Sequence, residues 1–83
     1  MDDKFLLGFN KLRGIEAKIL VYLLRNGKGK QAEIGREMDE TRQNVYHHAI
    51  RLVDAGLIVR EGKEYKLAED WTDKIRDFGI SKS

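Results

Sequence analysis

A stretch near the middle of the chain is rich in hydrogen-bonding side chains and contains no acidic residue from Thr41 to Val53. Its first turns carry five polar residues: Arg42, Gln43, Asn44, Tyr46 and His47. On a helix these residues lie away from an apolar stripe at positions 45, 49, 52 and 53. Guanidinium groups pair with guanine O6 and N7, and carboxamides pair with adenine N6 and N7. The pattern predicts that this face reads bases in DNA, and the alternative interpretation is a plain solvated face.

Other basic and polar residues are candidates for binding DNA phosphates. A lysine at the start of a helix opposes the helix dipole unless an anion is bound there, and this applies to Lys30. The predicted phosphate contacts are Lys28, Lys30, Gln31, Thr41, Arg51, Arg60 and Lys63. For Thr41 the alternative is a helix N-cap, and for Arg60 and Lys63 it is a solvated hairpin tip. The run from Gly27 to Lys30 is not a P-loop, because the six-residue glycine frame and the Lys-Ser/Thr ending are missing.

The spacing of apolar residues predicts the elements that hold these side chains. Helices are expected over 14–25, 31–38 and 41–55, and a last helix over 69–78. Gly27 suits the left-handed position after the first helix, and 27–30 is interpreted as a basic turn. Residues 57–67 read as a two-stranded hairpin. The predicted fold class is therefore mainly α with a small β-hairpin, arranged as a winged helix-turn-helix.

The residues of the three-helix core also suggest a family. The first helix of the pattern carries Ile34, Gly35 and Met38 and is followed by a turn and Thr41. The next helix is closed by the run Ala55-Gly56-Leu57-Ile58. Over residues 14–67 this pattern resembles winged-helix transcription regulators of the MarR and ArsR type. The resemblance implies a sequence-specific regulator that binds double-stranded DNA with helix 41–55 in the major groove. The chain departs from the pattern at Lys30, where Ser or Thr usually caps the helix, at the small Ala49, and in lacking a metal-sensing cluster.

The chain is expected to form one domain over 1–83, with the segments 1–12 and 69–78 as packing or dimerisation elements. A domain of 83 residues buries only about 60–65% of the surface that its unfolded chain exposes, less than a larger domain does, which favours a homodimer. The dimerisation candidates are Phe5, Leu6, Phe9, Leu12, Val21, Leu24, Trp71, Ile75 and Phe78. The alternative is that the last helix packs inside the chain on the exposed side of helix 14–25.

Composition excludes several functions. The chain has no cysteine, which rules out disulfides and thiolate metal sites. Neither a membrane span nor a signal peptide is predicted, so a cytoplasmic location is expected.

His47 and His48 point about 100° apart on a helix and are not expected to share a metal ion. We predict no catalytic residues, no cofactor and no small-molecule ligand. The alternative functions are a protein-interaction adaptor and a nonspecific architectural DNA binder.

Overall fold

The computed structural model describes residues 3–10, 12 and 14–80, without the side chains of residues 4–6 and 78–80. The described elements are, in chain order, α1 (Asp3–Asn10), α2 (Gly14–Asn26), β1 (Lys28–Lys30), α3 (Gln31–Met38), α4 (Arg42–Asp54), β2 (Ile58–Glu61), β3 (Glu64–Leu67) and α5 (Trp71–Ile80). The prediction of a mainly helical winged helix-turn-helix is confirmed. Three predicted details are wrong: the conformation of 27–30, the number of strands, and the packing partner of the last helix.

The core lies between α2, α3, α4 and the sheet. Apolar residues of α2 and α4 recur at helical spacing, so one stripe of each helix faces inward. The buried core residues are Ile19, Leu20, Leu23, Ile34, Val45, Ala49, Leu52, Leu57, Ile58, Tyr65 and Ile75. On α4, Val45, Ala49 and Leu52 are fully buried and Val53 is partly buried, which leaves the polar residues of the N-terminal half of the helix exposed.

The turn between α3 and α4 fixes the angle at which α4 leaves the core. Asp39 takes the left-handed conformation with φ 55°, and Glu40 N–H donates to the Gly35 carbonyl at 2.8 Å. A Cβ on Gly35 would lie 2.9 Å from the Glu40 carbonyl oxygen. This turn therefore needs glycine at 35, and Thr41 then caps α4 as predicted, accepting from Asn44 N–H at 3.1 Å.

The sheet has three antiparallel strands in the order β1-β3-β2. The prediction of a basic turn over 27–30 was wrong beyond Gly27, because Lys28–Lys30 pairs with β3. Only Gly27 takes the expected left-handed conformation, with φ 85°. The partner strand imposes the extended conformation on a segment with little strand propensity of its own. The sheet thus joins the start of the helix-turn-helix, formed by α3 and α4, directly to the wing, which is the hairpin of β2 and β3.

The last helix packs on α1, whereas the alternative to dimerisation places it on helix 14–25. Ile75 is fully buried by this arrangement. A Cβ on Gly8 would overlap the Ile75 carbonyl oxygen, so only glycine allows so close an approach of the two backbones. Helix α5 also continues to Ile80, two residues beyond the predicted end at 78.

Candidate nucleic-acid interface

The N-terminal half of α4 presents its polar side chains to solvent. Arg42, Gln43, Asn44, Tyr46 and His47 are all exposed, with Tyr46 at 38%. The Tyr46 and His47 rings meet edge to face, with their centroids 6.1 Å apart. The Asn44 amide donates to Glu40 Oε1 at 3.0 Å, so one of its donors is occupied at the helix start. The five residues share the exposed surface that base reading requires.

Four cations from three parts of the chain converge beside this surface. Lys30, Arg42, Arg60 and Lys63 line a hollow of about 310 Å³ together with Gln31 and Ala32. We call this the basic hollow. None of the six described residues that line it is acidic, and none of its four cations forms an ion pair with another described residue. Like charges held together repel one another, so the hollow favours an anionic group.

Local hydrogen bonds explain how Lys30 comes to face the hollow. Its backbone is extended at the N-cap of α3, where a lysine side chain cannot accept a hydrogen bond from the helix. Glu33 compensates, because its Oε1 accepts from the Lys30 backbone N–H at 2.9 Å. The carboxylate therefore serves the backbone and leaves the ammonium group available.

A buried tyrosine links the wing to α4. The Tyr65 hydroxyl donates to Gln31 Oε1 at 3.1 Å, and the Gln31 amide donates to the Arg42 carbonyl at 3.5 Å. Arg60 lies over the Tyr65 ring at 5.7 Å, and its Nε donates to the Gly62 carbonyl at 3.2 Å. Burial raises the pKa of Tyr65 above its usual 10.0, although the nearby Arg60 charge acts in the opposite direction. The hydroxyl therefore stays protonated and remains a donor.

The remaining phosphate candidates lie outside the basic hollow. Lys28 Nζ is 3.6 Å from Glu64 Oε1, in an exposed pair on the sheet. Thr41 uses its hydroxyl as the cap of α4. Arg51 is nine residues after Arg42, about half a turn away around the helix, and its Nε lies 2.7 Å from Glu16 Oε2. The structure thus groups Lys30, Gln31, Arg60 and Lys63 with Arg42, and separates Lys28 and Arg51 from them.

Glu16 is a functional candidate that sequence reasoning missed. Its side chain is 3% exposed, and its Oε2 lies 3.0 Å from His48 Nδ1 as well as 2.7 Å from Arg51 Nε. The carboxylate therefore joins α2 to the C-terminal half of α4. The signal was present in the sequence, because Glu16 precedes Ile19 and Leu20 by three and four residues and so shares their buried face.

The dimerisation candidates divide into four groups. Ile75 is buried within the single chain, which corrects its assignment, because its side chain contributes no surface to a second copy. Phe9, Leu12 and Trp71 are half-buried against the core. Val21 and Leu24 are 42% and 53% exposed on α2. The side chains of Phe5, Leu6 and Phe78 lie outside the described part of the structure.

The two histidines lie in different environments. His47 is exposed, whereas His48 is half-buried and contacts Glu16. Within residues 3–10, 12 and 14–80, no group of three or more His, Cys, Asp or Glu is placed to hold a metal ion. His48 therefore belongs to the contact between α2 and α4.

The comparison with protein families gives the interface its context. The family model described as "Sugar-specific transcriptional regulator TrmB" matches residues 7–69, which covers the helix-turn-helix and the wing. The chain belongs to the TrmB family. TrmB proteins are winged-helix transcription regulators and not an enzyme family, so this TrmB chain is a transcription regulator with DNA as its partner. The expected relationship to winged-helix regulators is confirmed at that level.

The other comparisons with this TrmB chain found nothing: no curated protein and no solved structure matches it. Among the described helices, none is long and apolar enough to cross a membrane.

Proposed function

We propose that the chain is a sequence-specific regulator that binds double-stranded DNA by placing α4 in the major groove. The observation that carries the proposal is the adjacency of the acid-free face of α4 to the basic hollow. An α-helix fits the major groove, where every base pair presents a distinct pattern of donors and acceptors. Arg42, Gln43, Asn44, Tyr46 and His47 are the residues that would read this pattern. We place the protein in the cytoplasm with the DNA that it regulates.

The basic hollow supports the proposal because a helix in the groove needs contacts to the backbone that fix its register. Phosphate contacts position a protein on the duplex, and base contacts specify the sequence. The segments that flank the start of α4 carry Lys30, Arg60 and Lys63. A phosphate bound in the basic hollow would therefore lie beside the bases that α4 reads. Arg42 lines the hollow as well, and its guanidinium is shared between these two roles.

We also propose that two copies bind one operator. Val21 and Leu24 are exposed apolar residues on α2, and covering them with the same face of a second copy would add buried surface to a small domain. Light scattering after size-exclusion chromatography tests this. A dimer that becomes monomeric in Val21→Lys supports the interface, and a wild-type monomer both alone and on DNA contradicts it.

The experiment that tests DNA reading is selection of bound duplexes from random DNA, followed by titration of the selected sequence and a scrambled one. Arg42→Ala and Gln43→Ala should each reduce discrimination between the two duplexes by about 1–3 kcal/mol. Arg25→Ala, which removes an exposed arginine from the end of α2, is the matched control and should leave discrimination unchanged. Equal affinity of the wild-type protein for both duplexes would instead indicate nonspecific binding.

A further inference from the structure

Tyr65 makes contacts that a core residue does not need. Its ring fills the core as phenylalanine would, but its hydroxyl reaches Gln31 and its ring carries Arg60 on one face. A buried hydroxyl is unfavourable unless it is hydrogen-bonded, so the bond to Gln31 only compensates the burial of that group. The hydroxyl therefore adds little net stability but creates a link between two elements.

This link connects the two sides of the basic hollow. Gln31 is the first residue of α3 and contacts the backbone of Arg42, the first residue of α4. Tyr65 lies on β3, next to Arg60 on β2 in the sheet register. Lys30 and Arg42 belong to the helix side of the hollow, and Arg60 and Lys63 belong to the wing side. Backbone pairing of β1 with β3 already joins Lys30 to the wing, and the bonds from Tyr65 through Gln31 extend the connection to Arg42 on α4.

We propose that Tyr65 is a positioning residue that holds the wing against α4, so that the four cations of the basic hollow bind one DNA backbone phosphate together. This inference rests on the proposed function, since it names the part of the DNA that the hollow binds and the residue that sets its geometry. Without the hydroxyl, the wing cations keep their charges and the pairing of β1 with β3 still holds Lys30 beside the wing, but the distance from the wing cations to Arg42 is no longer fixed.

The test compares Tyr65→Phe with the wild-type protein on the selected duplex, over a series of salt concentrations. Each phosphate contact contributes about −0.9 to the slope of log affinity against log salt. Loss of the wing contacts should make the slope shallower by up to about 0.9, the value of one phosphate, and weaken binding several-fold at low salt, with the two lines converging as salt rises. Tyr22→Phe is the matched control, because Tyr22 lies on α2 and does not line the basic hollow.

A second measurement uses the free protein and needs no DNA. Backbone ¹⁵N relaxation should show lower order parameters for residues 60–63 in Tyr65→Phe than in the wild type or in Tyr22→Phe. Gln31→Met breaks the same link from the helix side and should reproduce the effect, which keeps the test decisive if Tyr65→Phe does not fold.

The outcomes separate the positioning role from a structural one. A Tyr65→Phe protein that is simply less folded would weaken binding by the same factor at every salt concentration, giving parallel lines, and this result overturns the proposal. Unchanged order parameters in both variants also overturn it. A wild-type protein that binds no DNA overturns the proposed function and the phosphate role with it, whereas the relaxation measurement still shows whether Tyr65 couples the wing to α4.

Discussion

Replacing Glu16 by glutamine tests whether the buried carboxylate holds α4 to α2. The substitution keeps the shape of the side chain and removes the charge that faces His48 and Arg51. The Glu16 side chain is 3% exposed, whereas that of Arg51 is 57% exposed, so water partly screens the ion pair. Hydrogen bonds to charged groups contribute about 1.5–3 kcal/mol when buried. With one end exposed, we expect a loss near the lower bound, about 1–2 kcal/mol in the free energy of unfolding.

A loss of that size is measurable in a domain of this length. Each kcal/mol lowers the melting temperature by roughly 4–8 °C for domains of 60–100 residues, so Glu16→Gln should melt about 5–15 °C below the wild type. Circular dichroism melts and urea titrations measure the change. Glu37→Gln is the matched control, because Glu37 is exposed on α3 and should change stability by less than about 0.5 kcal/mol.

A double-mutant cycle with Arg51→Gln isolates the pair itself. Groups in direct contact show coupling energies of about 0.5–3 kcal/mol, and the Glu16–Arg51 pair should fall in this range. A melting temperature for Glu16→Gln within 2 °C of the control (roughly 0.5 kcal/mol or less), together with zero coupling, would refute the reasoning. The carboxylate would then contribute nothing to holding α4 against α2.

Three further changes test other parts of the structure. Thr41→Ala removes the cap of α4 and should destabilise the protein by about 1 kcal/mol, whereas Thr41→Ser should not; equal urea midpoints for the two variants would contradict the capping role. Gly8→Ala should force α1 and α5 apart and lower the free energy of unfolding by roughly 1–3 kcal/mol, as measured by thermal melts. Gly14→Ala is the control, because its new methyl group meets no neighbouring atom and should be neutral or stabilising. Similar melting temperatures for the two variants would argue against the close approach at Ile75. Burial raises the pKa of Tyr65, so the stability that its neutral form contributes is fully present below pH 10.0 and is lost as the pH rises through the folded-state pKa. The free energy of unfolding of the wild type should therefore fall more steeply above pH 10 than that of Tyr65→Phe. Identical pH profiles for the two proteins would contradict this.

Helical periodicity made most of the core predictable. The stripes of α2 and α4 could be identified because apolar residues such as Ile19, Leu23, Val45 and Leu52 recur at intervals that only a helix places on one face. The cap at Thr41 was predictable for a similar reason, since capping depends on residues three apart. Local patterns of this kind also led to the exposed polar face of α4.

Contacts between distant segments could not be predicted in the same way. The strand character of Lys28–Lys30 comes from its partner β3, and two lysines around a glycine indicate a turn when taken alone. The bond from Tyr65 to Gln31 joins residues 34 apart, and no spacing rule relates them. Glu16 is different, because its place on the apolar face was readable and a buried carboxylate there implied a cationic partner.

The central position of β3 has a consequence for the solubility of the protein. The outer strands β1 and β2 each leave one row of backbone groups without a partner in the sheet, and such edges promote pairing between molecules. Both edges are short and charged: β1 has three residues, two of them lysines, and β2 carries Arg60 and Glu61. The cations proposed to bind DNA therefore also discourage aggregation through the sheet edges, so neutralising them to alter DNA affinity would make edge-to-edge association more favourable.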